Sequence, residues 1–245
     1  MAASQVGEQE GTKEKGMSDF FRFPSTPHLF SAAGAKLPRD DKLMSAQALN
    51  ELLAGEVTVE EKLDGANLGI FIDSQGAIRV QNRGTYLVPP FSGQFDRLRQ
   101  WLRQHEDHLF DVLSGNIDLI LFGEWCAARH SLEYGGLPDW WLLFDVYDRS
   151  VGRFWSVAER DTLAGRLGVA VVPCLFRGRV TCARLEAFLE SQPSHYRDGP
   201  MEGVVVRSDD GVWLRARGKL VRAEFSQAIE EHWRSRAIEW NRIKF

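Results

Sequence analysis

Cysteine is scarce in this chain of 245 residues: Cys126, Cys174 and Cys182 are the only three. Their number is odd and no two stand at metal-ligand spacing. That argues against a disulfide framework or a zinc site and favours a reducing compartment. No run of 18 apolar residues occurs, so no segment reads as a membrane span. Residues 1–16 are polar, and no apolar core follows a charged start, so they do not read as a secretory signal. Positive charge is not in excess: 30 Lys and Arg face 34 Asp and Glu, for a net charge of −4. Any nucleic-acid surface must therefore be local. Residues 17–245 contain no internal repeat and no linker. The expected location is the cytoplasm, with the nucleus left open.

Hydrophobic residues make up 44% of the chain, enough for one fairly large domain. Residues 1–16 cannot bury enough surface to order themselves and are expected to be a disordered tail. The folded part is expected over 17–245. Ser45 caps a short helix that ends before Gly55. Strands are expected at 57–61, 68–73 and 77–81, the last two joined by the turn Asp73-Ser74-Gln75-Gly76. Phe95, Leu98, Trp101, Leu102, His105 and Leu109 recur at helical spacing within 93–113. Strands follow at 117–122, running on into Gly123-Glu124-Trp125, and at 140–147. Ser156 and Thr181 start helices, with a strand at 169–172 between them. A hairpin spans 203–217 around Asp209-Asp210-Gly211, and a helix is expected over 224–241. Strands joined largely by hairpins, with helices interspersed, indicate an α+β fold with antiparallel sheets.

The stretch Glu60-Glu61-Lys62-Leu63-Asp64-Gly65-Ala66-Asn67 lies between two of these strands. Strand alternation points Lys62 and Asp64 the same way if both are extended. Gly65 permits a turn or close approach to a ligand. A lysine beside apolar strands can be desolvated, which disfavours its charged form and makes the amine a nucleophile. Polar residues recur at other strand ends: Arg83, Glu124, Asp145, Glu202, Lys219 and Arg222.

This ordered set resembles the covalent nucleotidyltransferase superfamily of ATP-dependent ligases and capping enzymes. Glu61-Lys62-Leu63-Asp64-Gly65 is similar to its motif I, and Arg83 to the arginine that follows. Phe122-Gly123-Glu124-Trp125 resembles motif III, and Phe144-Asp145-Val146-Tyr147 motif IIIa. Met201 to Arg207 resembles motif IV, and Arg217-Gly218-Lys219-Leu220-Val221-Arg222 motif V. Within the superfamily, the motif I and IIIa phrases look most like ATP-dependent RNA ligases of the nick-sealing phage type and their small cellular relatives. The resemblance implies a nucleotidyltransferase (adenylation) domain of two antiparallel sheets flanked by helices, with ATP between them. It also implies an RNA ligase that joins 3′-hydroxyl and 5′-phosphate RNA ends through a lysyl-AMP intermediate on Lys62. A DNA ligase, a ligase of both nucleic acids and a non-catalytic RNA-binding module are the alternatives.

By the same resemblance, Lys62, Asp64 and Lys219 form the catalytic set. Glu124 would meet the ribose, Phe144 would stack on adenine, and Arg83 would contact ribose or phosphate. Glu202 would hold Mg²⁺ or Mn²⁺. Lys219 and Arg222 would contact phosphates, Glu61 the adenine edge, and Asn67 would help order the metal or the lysine. A neutral Lys62 requires cations nearby, and Lys219 and the metal are the expected ones. Motif V departs from the two lysines spaced one residue apart in many relatives, leaving Arg222 or Arg217 as the second cation. Only 26 residues follow Lys219, too few for an OB domain. Grip on RNA is therefore expected from this domain, from a partner protein, or from the end of the chain, where Trp233, Arg234, Arg236, Trp240, Arg242 and Lys244 mix basic and aromatic groups.

Overall fold

The computed structural model describes residues 20–31, 42–228 and 237–244. The tail expected at 1–16 lies outside them. Helix α1 (Ala46–Leu53) starts where Ser45 Oγ accepts from the Ala48 N–H. Strands β1 (Val57–Lys62), β2 (Ala66–Ile72), β3 (Ile78–Gln81) and β4 (Tyr86–Leu87) follow. Helix α2 (Leu98–Leu113), β5 (Leu119–Trp125), β6 (Trp141–Asp148) and β7 (Arg153–Phe154) come next. Helix α3 (Val157–Leu167) is capped by Ser156 Oγ and closed by Gly168 at φ +66°. Strands β8 (Ala170–Val171) and β9 (Cys174–Gly178) precede α4 (Cys182–Ser191). The hairpin of β10 (Gly203–Asp210) and β11 (Trp213–Val221) leads into α5 (Ala223–Ala228).

Two sheets result, in strand orders β11-β10-β1-β9 and β4-β3-β2-β5-β6-β7, with β8 pairing parallel to β6 in the second. The other pairings within the sheets are antiparallel. The small sheet buries Val57, Val59, Val204, Val206 and Leu220 against residues of α1 and α4, such as Leu52 and Leu185. The large sheet buries Leu68, Ile70, Leu121 and Trp141 against Trp101 and Leu109 of α2 and Leu163 of α3. Each sheet therefore has its own apolar core.

Between the sheets the contacts are largely ionic. Glu60 of β1 sits 2.6 Å from Arg160 of α3, and Arg160 also donates to the Phe144 carbonyl of β6. Asp145 of β6 accepts from both Arg207 of β10 and Arg217 of β11. All five of these ionic side chains are at most 8% exposed. The cleft between the sheets thus has buried charge beside apolar residues such as Phe23, Phe144 and Val172.

The expected α+β class with two antiparallel sheets is present, and among the described residues no third sheet or barrel follows β11. The two-residue strands β4 and β7 and the half-buried β9 lack the alternation by which a strand is read from sequence. The helix expected over 224–241 needs correction. Residues 223–228 are helical, 229–236 lie outside the described residues, and 237–244 are not helical. Instead, Trp240 pairs with Ala128 and Ile243 with Leu137. Their backbone groups are satisfied by the 126–137 loop, so the helical i to i−4 pattern is not needed there. Among the described residues no helix is long and apolar enough to cross a membrane.

Candidate active site

A cavity of about 330 Å³ opens between the sheets, within the usual size range for small-molecule sites. Lys62, Asn67, Arg83, Glu124, Phe144 and Lys219 line it, together with Glu61 and Gly65. Five strands from both sheets (β1, β2, β5, β6 and β11) and the turns at Gly65 and Arg83 supply these groups, so the site exists only when the sheets face each other.

Lys62 ends β1 opposite Gly203, which places Glu202 beside it. Its Nζ donates to Glu202 Oε2 at 2.7 Å. Strand alternation sets Glu60 and Lys62 on one face and Glu61 on the other. Accordingly, Glu61 Oε1 accepts from Ser194 Oγ at 2.5 Å and its Oε2 from the His195 N–H at 2.9 Å. The Glu61 carboxylate is thus tied to the loop before β10. Burial raises its pKa, against those hydrogen bonds.

Asn67 and Glu124 are cross-strand partners on β2 and β5. Glu124 Oε1 accepts from the Gly65 N–H at 3.0 Å. Gly65 is required by close approach: a Cβ there would lie 2.5 Å from the Trp125 carbonyl oxygen. Asn67 Oδ1 is buried with no hydrogen-bond partner in the protein. A buried polar atom left unpaired costs stability, and it marks a place where a ligand or ion would be bound.

Asp64 is occupied differently from the expectation. Its Oδ2 accepts from the Ser131 and Leu132 N–H groups at 2.7 and 2.8 Å. Its own N–H donates to Tyr134 Oη at 2.8 Å. Its carboxylate is therefore a clasp between the lysine segment and the 126–137 loop.

Among the protein's own groups, acids dominate the surroundings of Lys62. Burial pulls its pKa down, but Glu202, Glu124 and Asp64 together outweigh burial and raise it. In the ligand-free chain the amine is an ammonium held among acids. The acids carry the cost. Burial pushes Glu124 up to about 7, opposed by Lys62 and reinforced by Glu202 and Asp64. Burial likewise pushes Glu202 up to about 7, opposed by Lys62 and Lys219 and reinforced by Asp64.

Lys219 lies on β11 opposite Val205, and its backbone is held by Pro27 and Leu29. Phe144 forms a wall of the cavity and meets Phe23 edge-to-face, ring centroids 5.4 Å apart. Arg83 is exposed at the rim, where it donates to Ser25 Oγ at 3.2 Å. Arg222 is not among the cavity residues. Its guanidinium donates to the Leu189 carbonyl of α4 and lies 3.4 Å from Glu224. Arg217, the other candidate for the second cation, does line the cavity. Burial lowers its pKa despite Asp145, with Arg207 adding to the fall.

Sequence reading missed Arg207, Glu60, Phe23 and Thr26, all on the cavity lining. Strand alternation from Lys62 back to Glu60 was the available signal for one of them. Phe23 and Thr26 come from an irregular segment and carried none.

The family model for RNA ligase matches residues 55–221, more than half of the chain. The chain belongs to the RNA ligase family. Every candidate from Lys62 to Lys219 falls inside the region matched by this RNA ligase model, while Phe23 and Thr26 of the cavity lining lie before it. No curated protein sequence matches the chain significantly. Solved structures do. A mutant of the Naegleria gruberi RNA ligase with ATP and Mn superposes with a TM-score of 0.64 at 19% identity, covering 91% of this chain and 62% of that one. The Naegleria gruberi RNA ligase with PPi gives 0.58 at 21% identity, covering 86% and 65%. A further mutant, with AMP and Mn, gives 0.56 at 19%, again covering 86% and 65%. The chain thus shares the fold of these RNA ligases and spans less than two thirds of their length.

Proposed function

We propose that the chain is an ATP-dependent RNA ligase that joins a 3′-hydroxyl to a 5′-phosphate RNA end through AMP on Lys62. The observation that carries this reading is Lys62 at the cavity, its Nζ 2.7 Å from Glu202, with Phe144, Asn67, Glu124 and Lys219 around the same space. Structural relatives with ATP, AMP and pyrophosphate support a nucleotide as co-substrate.

In the first step Lys62 Nζ attacks the α-phosphorus of ATP and pyrophosphate leaves, so that AMP is held as a phosphoramidate. AMP then passes to the 5′-phosphate end of RNA. A 3′-hydroxyl attacks that activated end, forming the phosphodiester and releasing AMP. Phe144 presents an aromatic face for the adenine. Glu124 accepts from ribose hydroxyls, and Arg83 at the rim meets ribose or phosphate. Lys219 meets the α-phosphate, and its charge beside Glu202 holds negative groups in the site. Lys62 must shed a proton before it attacks, and the acids around it hold that proton in the resting state.

Hard oxygen donors fit a Mg²⁺ or Mn²⁺ ion here: the Glu202 carboxylate, the Glu124 carboxylate beside it and the unpartnered Asn67 Oδ1. Among the described residues no three His, Cys, Asp or Glu side chains form a complete ligand set, so phosphate oxygens and water would complete the shell, as is usual for such an ion. When bound, the ion supplies positive charge that offsets phosphate charge and lowers the proton affinity of Lys62.

Incubation with ATP labelled at the α-phosphate and Mg²⁺ tests the reading. Label stays on the wild-type protein and is absent from Lys62→Ala. An unlabelled wild type sinks the proposal, and labelling by GTP instead of ATP would point to a capping-type reaction. Nicked and single-stranded RNA and DNA, compared side by side, then identify the strands joined.

A further inference from the structure

The segment after the undescribed stretch is bound to the part of the site that holds the lysine loop. Residues 239–244 run beside the 126–137 loop. The Asn241 N–H donates to the Ala127 carbonyl, and the Arg129 N–H to the Glu239 carbonyl. Further along, the Arg242 N–H donates to the Tyr134 carbonyl and the Leu137 N–H to the Arg242 carbonyl. Asn241 is 2% exposed and its side chain is fully used. Its Oδ1 accepts from the Tyr134 N–H at 2.8 Å, and its Nδ2 donates to the carbonyls of Cys126 and Ala128 at 2.8 and 3.3 Å. Beside it, the Arg97 guanidinium lies over the rings of Trp240 and Trp140, at 4.4 and 5.0 Å.

The same loop holds motif I at its other side. Tyr134 Oη accepts from the Asp64 N–H, and the Ser131 and Leu132 N–H groups bind the Asp64 carboxylate. Asp64 is two residues from Lys62. We infer that residues 239–244 are a strap that fixes the position of Lys62, with Asn241 as its positioning residue acting through the 126–137 loop and Tyr134. Asn241 touches no reacting atom. Its effect is on where the amine stands relative to the α-phosphorus, and a misplacement of about 1 Å can cost about 100-fold in rate. This inference rests on the lysyl-AMP reading of the site.

The test is a double-mutant cycle on the rate of lysyl-AMP formation, with Asn241→Ala and Tyr134→Phe. Tyr134→Phe removes one hydroxyl from a fully buried ring and spares its packing. Each single variant is expected to lower the rate at saturating ATP by about 10-fold or more while the KM for ATP stays within about twofold, because the amine is displaced and the nucleotide cavity is not. The double variant is expected to lose much less than the product of the two, since both act through one loop. Amide exchange is expected to speed up at Ser131 and Leu132 in Asn241→Ala. An additive cycle, an unchanged rate, a proportional rise in KM, or unaltered exchange at those two amides overturns the inference. If Asn241→Ala does not fold, Asn241→Asp replaces it with the same expectations: it keeps the acceptor for Tyr134 and loses the donors to Cys126 and Ala128. If the wild type takes no label, the lysyl-AMP reading has failed. The exchange of Ser131 and Leu132 then still reports whether the strap holds the loop.

Discussion

Lys62 shows how much a single side chain depends on its neighbours. A lysine at the end of an apolar strand reads as an amine desolvated toward neutrality. The neighbours reverse that, because three acids converge on it: Glu124 on β5, Asp64 in the turn after β1 and Glu202 just before β10. The acids bear the consequence, and it is measurable. Glu124 and Glu202 have ordinary values of 4.5 and reach about 7 in the folded chain. A carboxyl whose native pKa lies above its unfolded value favours folding when protonated. That contribution is complete below pH 4.5 and is lost as pH rises through about 7. The raised pKa of Lys62 does not offset this, because its change lies above 10.5. The expected result is a lower melting temperature at pH 8 than at pH 5 for the chain without nucleotide or metal. Glu124→Gln should shrink that difference. An equal drop in the variant would show that Glu124 is not a source of it.

The strands and helices are held by two unlike kinds of contact. Within each sheet, hydrogen bonds and apolar faces do the work, and Gly203 shows how close the strands come: a Cβ there would meet the Leu220 carbonyl oxygen at 2.3 Å. Between the sheets, Asp145 alone joins β6 to both β10 and β11 through Arg207 and Arg217. Asp145 is 1% exposed and Arg207 2%, so removing the carboxylate leaves two guanidinium groups buried without it. Asp145→Ala is expected to cost about 3–5 kcal/mol, read as a fall in the urea midpoint. A loss below about 1 kcal/mol would mean that water replaces the carboxylate at no great cost. Ser156→Ala is a contrasting case at the start of α3. It removes the Oγ that accepts from the Glu159 N–H, and about 1 kcal/mol is expected.

For the molecule as a whole, the cavity joins two separately packed sheets, so a ligand between them should stabilise the pair. An ATP analogue with a methylene bridge between the α- and β-phosphorus atoms cannot adenylylate Lys62. At a hundredfold excess over its Kd, with Mg²⁺, it adds about 2.7 kcal/mol by mass action. At about 2–4 °C per kcal/mol for a chain of this size, the melting temperature should rise by roughly 5–10 °C. Absence of any shift with ATP analogue, alongside normal melting of the free chain, would mean that the folded chain does not bind the nucleotide. The net charge of −4 gives the chain no general attraction for RNA.

The order of motifs from Lys62 to Lys219 was legible in the linear chain because their phrases resemble those of a known superfamily and several, such as Lys62 and Glu124, stand where an apolar strand ends. The helix caps at Ser45, Ser156 and Thr181 were legible for a similar reason: capping is local chemistry. Partners distant in sequence were not. The clasp of Asp64 spans 67 and 68 residues to Ser131 and Leu132, and the hold of Asn241 on Tyr134 spans 107. The turn of Arg222 away from the cavity, toward Leu189, depends on where α4 packs. The end of the chain departs from its helical pattern because its backbone groups find the 126–137 loop. Local propensity and alternation therefore sufficed for the fold class, whereas Lys62 was singled out by the resemblance of the ordered motifs to the nucleotidyltransferase superfamily. The charge state of that lysine, the choice between Arg217 and Arg222 at the cavity, and the strap over residues 239–244 followed from packing, because each depends on groups that meet only when the chain is folded.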